Sequence, residues 1–153
     1  MSSNIFQIRG QSEGPAQLHV SARGFSIHVD QPESLGGSNT APNPLEYLLA
    51  GLAGCVNVVA HRVAEELNIK IYELCIDVAG SLNPDKFLGK FTLDRAGFQT
   101  IQVRIHARTD ASDENLRKWL NIIETRSPVR DVLGKGTPIG LSLQRKVREE
   151  YCV

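Results

Sequence analysis

Apolar and polar positions alternate with period two through the first thirty residues, in three short runs: Ile5 to Arg9, Gln17 to Ser21 and Phe25 to Asp30. Such alternation predicts strands with one buried face. Gly14-Pro15 and Arg23-Gly24 supply turns between the runs, so a three-stranded meander is expected. Pro32 to Pro42, with Gly36-Gly37 and Ser38-Asn39, reads as a loop. The period then changes. Asn43 is an N-cap candidate, Pro44 suits the first helical position and Glu46 can close a capping box, which together predict a helix from Pro44 to about Leu67. Tyr47 to Ala60 carries no charged side chain, whereas the second half turns amphipathic, with Arg62, Glu65 and Glu66 facing water. Arg62 and Glu66 are spaced to pair, at about 0.2 to 0.5 kcal/mol.

Alternation returns at Ile69 to Ala79, with Leu74, Ile76 and Val78 on one face and Glu73, Cys75 and Asp77 on the other. Asn83-Pro84-Asp85 breaks it. Phe98 to Thr109 predicts another strand, Ser112-Asp113-Glu114 opens a second helix bearing Leu116, Trp119, Leu120 and Ile123, and Ser127-Pro128 starts a short helical turn ending near Leu133. Gly134 to Gly136 leads into a final strand expected over Ile139 to Val147. Strands, helix, strands, helix is the order of an α+β domain with its helices on one face of a mostly antiparallel sheet. At 153 residues, with no repeat or internal linker, the chain is expected to form a single domain, residues 1–153.

Charge narrows the partners. Seventeen basic residues balance seventeen acidic ones, and the basic residues near the C-terminus, Arg145, Lys146 and Arg148, are followed at once by Glu149 and Glu150. No basic footprint for nucleic acid results. The uncharged stretch of 14 residues falls short of the roughly 20 that span a bilayer, so it reads as a core helix and no membrane partner is expected. Met1 to Phe6 lacks a basic segment followed by an apolar one, so no signal peptide is expected and the reducing cytoplasm is the expected compartment. Cys55, Cys75 and Cys152 are odd in number and far apart, which is not a disulfide framework. One feature asks for a partner subunit: Ala50, Gly51, Ala53 and Gly54 leave a helix face without bulk, and each mid-helix Gly costs about 1 kcal/mol against Ala.

Cys55 is the candidate for chemistry, and two readings stand side by side. A free cysteine in an apolar helix commonly serves as a small buried hydrophobe. It lies about three turns into the helix, beyond the reach of the dipole, so an activated thiolate would need a nearby cation. Glu46 has a complete structural account in the capping box, and Ser127 one as the N-cap before Pro128. Arg126 and Arg130 flank Ser127, either as surface residues or within reach of a pocket. Cys75 and Cys152 could meet Cys55 only if the fold brought them near. His19, His28, His61 and His106 are scattered, and His61 with Glu65 one turn on does not make a zinc site, so neither a metal nor a cofactor is expected. Gly134-Lys135-Gly136-Thr137 lacks the full phosphate-loop pattern and reads as a turn.

The run Asp30-x-Pro32 … Leu35-Gly36-Gly37 … Pro42-x-Pro44-x-Glu46-Tyr47-Leu48-Leu49-Ala50-Gly51-Leu52-Ala53-Gly54-Cys55 resembles the OsmC/Ohr family of thiol-dependent hydroperoxide reductases. Ser127-Pro128-Val129 … Leu133 … Gly136-Thr137-Pro138-Ile139 is similar to that family's second signature. The resemblance implies an intertwined homodimer with sites at the subunit boundary. It implies a peroxidatic cysteine on the central helix, here Cys55, which attacks an organic hydroperoxide and becomes a sulfenic acid. A second cysteine resolves it in active members; Ser127 occupies that position, as in a divergent branch lacking the second thiol. The family's catalytic glutamate position is Leu45, with Glu46 one residue nearer as a supporting candidate, and Arg9 and Arg23 are nearest to its early arginine. The implied activity is a one-cysteine peroxidase in oxidative stress defence, using Cys55 and an external thiol reductant. The alternative is a non-catalytic module of the same fold that binds a small apolar or lipid-like ligand.

Overall fold

The computed structural model describes residues 4–144. It contains strands β1 (Arg9–Ser12), β2 (Leu18–Ala22) and β3 (Phe25–Val29), helix α1 (Pro44–Glu66), strands β4 (Ile71–Ser81) and β5 (Thr100–Thr109), and helices α2 (Asp113–Arg126) and α3 (Pro128–Lys135). Both sheets are antiparallel: β1-β2-β3 is the expected meander, and β4 pairs with β5. The chain is therefore α+β, as its pattern predicts. It divides into two compact units, one taking in the chain up to Tyr47 together with the stretch from Ile139, the other Leu48–Pro138.

In the first unit the loop after β3 is organised around one carboxylate. Asp30 is only 1 % exposed. Its Oδ1 accepts the Gln31 N–H at 2.8 Å, and its Oδ2 accepts from Ser38 N (3.2 Å), Thr40 N (3.0 Å) and Thr40 Oγ1 (2.8 Å). A carboxylate suits such a nest because it accepts on every lone pair and donates nothing. The Asp30 N–H donates to Pro42 O at 3.3 Å, which ties the end of β3 to the start of α1. Gly37 is imposed by this winding, since a Cβ there would lie 1.9 Å from Gln31 O.

The expected capping box forms at the head of α1. Asn43 Oδ1 accepts from Leu45 N (2.9 Å) and Glu46 N (3.0 Å), and Glu46 Oε2 accepts from Asn43 N at 2.8 Å. The helix ends one residue before the predicted Leu67, in a left-handed turn at Asn68 (φ 53°). Asn68 N donates to Glu65 O and Ile69 N to Ala64 O, which satisfies two otherwise orphaned carbonyls.

The second unit is built on the far half of α1. Val56, Ala60, Val63 and Ala64 form a buried face with Ile69, Trp119 and Ile123, and the inward face of β4 (Leu74, Ile76, Val78) packs against it. Trp119 donates its indole N–H to Ala60 O at 2.8 Å within this core, so its one polar atom is satisfied. Ser112 caps α2 by accepting from Asn115 N at 3.3 Å. By length and composition alone α1 is long and apolar enough to cross a membrane, yet five of its residues are buried in this core.

Two expectations fail at the chain's ends. The first strand is Arg9–Ser12, not Ile5 to Arg9, and no strand forms over residues 139–144 although the alternation predicts one from Ile139 to Val147; positions 145–147 lie outside the described residues. The cause is shared. Ile5, Phe6 and Ile8 are exposed, and Ile139, Leu141 and Leu143 are 86 %, 98 % and 94 % exposed, so the alternating side chains have no surface to cover within one chain.

The carboxylate nest makes the first unit sensitive to acid. The Thr40 N–H, followed by that of Gln31, holds the Asp30 carboxyl well below the ordinary carboxylate range, against the opposing effect of burial. A depressed pKa contributes stability that is complete above the unfolded value, about 4, and is lost as pH falls toward the folded value. Thermal melts from pH 7 down to pH 2 should therefore show Tm falling below about pH 5. Asp30→Asn should lower Tm at pH 7 and flatten that slope, because the amide turns a donor toward backbone N–H groups. An unchanged slope in the variant would remove Asp30 from this role.

Candidate functional site

Four segments of the second unit meet at the candidate site. Cys55 lies in the middle of α1, half-buried, with its thiol free. Its Sγ is 3.2 Å from Ser127 Oγ, a contact across 72 residues of sequence. Ser127 is itself 2 % exposed and serves three structures at once. Its backbone N–H donates to Ile123 O and closes α2, its hydroxyl accepts from Arg130 N at 3.4 Å and caps α3, and the same hydroxyl meets the thiol. Pro128 supplies the first residue of α3, where its missing N–H costs nothing.

Beside this pair is an open cavity of about 580 Å³. Its walls are mainly aliphatic and aromatic: Leu52 and Val56 from α1, Phe98 ahead of β5, Ile101, Val103 and Ile105 from β5, and Leu120, Ile123 and Leu133 from α2 and α3. Ser127 lines it, and Arg95, Glu124, Arg130 and Lys135 bring charge to the lining. Cys55 is not among the lining residues, so its link to the cavity is the Ser127 hydroxyl.

The other sequence candidates lie elsewhere. Glu46 is engaged in the capping box, and nine residues of helix separate it from Cys55 by about 14 Å along the axis and half a turn around it. Leu45 sits beside it, partly exposed. Arg9 is exposed on β1, and Arg23 sits in the turn before β3 with its guanidinium 5.6 Å from the Phe25 ring centre. Both arginines flanking Ser127 already hold carboxylates: Arg126 pairs with Glu66 at 2.6 Å and Arg130 with Glu124. Cys75 points outward from β4, on the polar face its alternation predicts, and Cys152 lies outside the described residues. Among the described residues, no three His, Cys, Asp or Glu side chains are grouped to hold a metal ion.

Sequence reasoning named Arg130, which lines the cavity, as a residue that could reach a pocket, and missed Arg95, Glu124 and Lys135. Ile101, Val103 and Ile105 were legible as one apolar strand face, but Arg95 lies in the irregular stretch between β4 and β5, where no periodicity points to a site.

Comparison with known proteins bears on this geometry. Among curated proteins, none matches the chain. An OsmC-like protein from Mycoplasma pneumoniae is similar in structure, with a TM-score of 0.75, 21 % identity, and 87 % of this chain and 89 % of that one covered. An organic hydroperoxide resistance protein OsmC from Legionella pneumophila, described as a predicted redox protein, gives a TM-score of 0.61 at 20 % identity over 87 % and 91 % of the two chains. A putative organic hydroperoxide resistance protein from Vibrio cholerae, with captopril bound in one of its active sites, gives 0.62 at 22 % identity over 86 % of each. At these identities the structures establish the shared fold. The model of the family described as OsmC-like protein matches residues 37–142, well over half of the sequence and inclusive of both Cys55 and Ser127, so the chain belongs to the OsmC-like family.

Proposed function

We propose that the protein is a thiol-dependent organic hydroperoxide reductase of the one-cysteine type, with Cys55 as the peroxidatic residue. The observation that carries this reading is the 3.2 Å contact between Cys55 Sγ and Ser127 Oγ beside an apolar cavity. Cys55 as thiolate attacks the terminal, hydroxyl-bearing oxygen of the hydroperoxide, the O–O bond breaks, and the alkoxide leaves as alcohol after taking a proton from water, which converts Cys55 to a sulfenic acid. Two equivalents of an external thiol then restore it. The first displaces water to form a mixed disulfide, and the second releases Cys55 with a small disulfide as product. Ser127 donates its hydroxyl to the thiolate, a charge-assisted bond that stabilises the attacking form. Serine cannot complete an internal disulfide, so the reductant is obligatory and comes from outside.

The cavity supports the substrate class. Its aliphatic walls suit the organic part of a hydroperoxide better than hydrogen peroxide, which offers no apolar surface to bury. The same walls favour a second reading, a module that holds a small apolar ligand without turning it over. The solved relatives described as organic hydroperoxide resistance proteins lend support to the catalytic one.

A homodimer of 153-residue domains completes the reading. Gly51 and Gly54 are exposed on α1, and a Cβ at either would meet nothing within 4 Å in this chain. Val58, one turn beyond Gly54, is 67 % exposed. A face that is small, apolar and open in the single chain is suited to close approach by the same face of a second copy, and the uncovered apolar residues 139–143 favour an intertwined arrangement.

Three outcomes follow. Cumene hydroperoxide consumption with dithiothreitol or dihydrolipoamide should exceed background for the native chain and fall to background for Cys55→Ser, while Ser127→Ala should lose about tenfold, the worth of a hydrogen bond to a charged group. Equal rates for native and Cys55→Ser would leave the binding reading. Ser127→Cys should form an internal disulfide between its new thiol and Cys55 after one turnover, visible by mass spectrometry without reductant, at a cost of about 1 kcal/mol for the altered cap. Recovery of sulfenic acid without that disulfide would count against their proximity. Finally, light scattering should give twice the 16.8 kDa chain mass for the native protein. Gly54→Arg should give the single-chain mass, since replacing a mid-helix glycine favours the isolated helix by roughly 1 kcal/mol and damages only the contact with a partner.

A further inference from the structure

The outward face of the β4–β5 pair carries a second group of reactive side chains, remote in role from Cys55 and unused by the proposed reaction. Cys75 stands directly opposite His106 in the ladder, with Glu73 opposite Arg108 on one side and Asp77 opposite Arg104 on the other. Side chains directly opposite one another in an antiparallel pair have Cβ atoms about 4.5 to 5.5 Å apart, within reach of each other. His106 Nε2 is 3.0 Å from Asp77 Oδ2. Arg108 is held by Glu73, with its Nε 3.0 Å from Glu73 Oε1, and its guanidinium lies 5.1 Å from the Tyr72 ring centre. The Cys75 thiol is exposed and free, and with Glu73, Leu74, His106, Ala107 and Arg108 it lines a shallow depression of about 280 Å³.

The arrangement sets a nucleophile and a base at the same register position on adjacent strands, with a carboxylate that orients the base. Asp77 occupies Nε2 of the imidazole, which leaves the other ring nitrogen to take a proton. An adjacent base is one means by which an accessible thiol becomes a nucleophile, and the charges of Arg104 and Arg108 on the facing strand are matched by Asp77 and Glu73. The depression has room for a small molecule and carries both signs of charge, Glu73 from β4 and Arg108 from β5, with Asp77 and Arg104 as the next pair along the same face of the ladder.

We propose that Cys75, His106 and Asp77 form a second thiol site, at which Cys75 exchanges with a low-molecular-weight disulfide bearing carboxylate and ammonium groups. His106 takes the Cys75 proton. The thiolate attacks one sulfur of the disulfide, that S–S bond breaks as the Cys75 mixed disulfide forms, and the departing thiolate leaves as a thiol with the proton from His106. The incoming disulfide is the oxidant, so no other electron acceptor is required. The rim charges pair with the zwitterionic arms of the small molecule, and the site is independent of any peroxidase activity at Cys55.

Oxidised glutathione is the probe, with adducts located by peptide mass mapping. Native protein and Cys55→Ser should both acquire one glutathionyl group on the peptide containing Cys75, at a rate about tenfold above that of a cysteine in a short unstructured peptide. Cys75→Ser should lack that adduct. His106→Gln, with an unchanged circular dichroism spectrum, should react about fivefold more slowly near pH 7 and match the native rate near pH 10, where the thiol ionises without a base. A Cys75 rate no greater than that of the free peptide, an adduct confined to Cys55 or Cys152, or a His106→Gln rate equal to native at neutral pH would each overturn the proposal.

Discussion

The indole of Trp119 and the carbonyl of Ala60 hold the second unit together in a way that apolar packing alone would not. Burial of aliphatic surface fixes how much of α2 touches α1, but it is indifferent to small slides along the axis. A single 2.8 Å hydrogen bond in a dry environment is not, because an indole N–H left unpaired there would cost about 1 to 3 kcal/mol. Ala60 is the residue that permits it. It is fully buried and carries no side chain beyond Cβ, as close packing of an indole against a helix requires. Once that register is set, the next two turns of α2 carry the chain to Ser127 at the level of Cys55. The 3.2 Å contact at the candidate site is thus downstream of a helix-packing choice made five residues away from the cysteine.

Ser127 shows how little freedom such a position has. The hydroxyl caps α3 and the backbone N–H closes α2, so the side chain is oriented before any substrate arrives. A hydrogen-bond partner fixed in advance costs no reordering when charge develops on the sulfur. The two arginines that flank Ser127 are engaged by Glu66 and Glu124, and the hydroxyl is the group in contact with the thiol.

Much of this was legible in the sequence, and the parts that were not have a common cause. Asn43, Pro44 and Glu46 announce the start of α1 because a cap is a local device, satisfied by atoms three residues apart. Ser112 and Ser127 announce helices for the same reason. Alternation placed Cys75 on the outer face of β4, since a strand between a core and solvent sorts side chains by position. The meeting of Cys55 with Ser127 is long-range, and nothing in their spacing betrays it; it was readable only through the resemblance of both signatures to one family. The failed strands at Ile5 and Ile139 are the opposite case. Their alternation is a true record of apolar side chains, but within the described residues those side chains stay exposed, so the pattern alone does not make a strand.

The same reasoning explains the composition of α1, which faces two different demands around one axis. On one side Val56, Ala60, Val63 and Ala64 are sized for contact within the chain, and on another Gly51, Gly54 and Val58 present a smooth apolar strip, its two glycines open to a side chain that nothing nearby would meet. A helix that had only to fold alone would place alanine or a polar residue at 51 and 54, and gain roughly 1 kcal/mol at each. Retaining glycine there gives up that stability in the isolated chain, and the loss is offset only where another backbone approaches too closely for a side chain. Cys55 lies between these two faces, half-buried. A fully sealed thiol would be unreachable by a hydroperoxide, and a fully exposed one would be open to every oxidant. Between the buried face and the glycine strip, the sulfur is neither sealed in the core nor fully exposed.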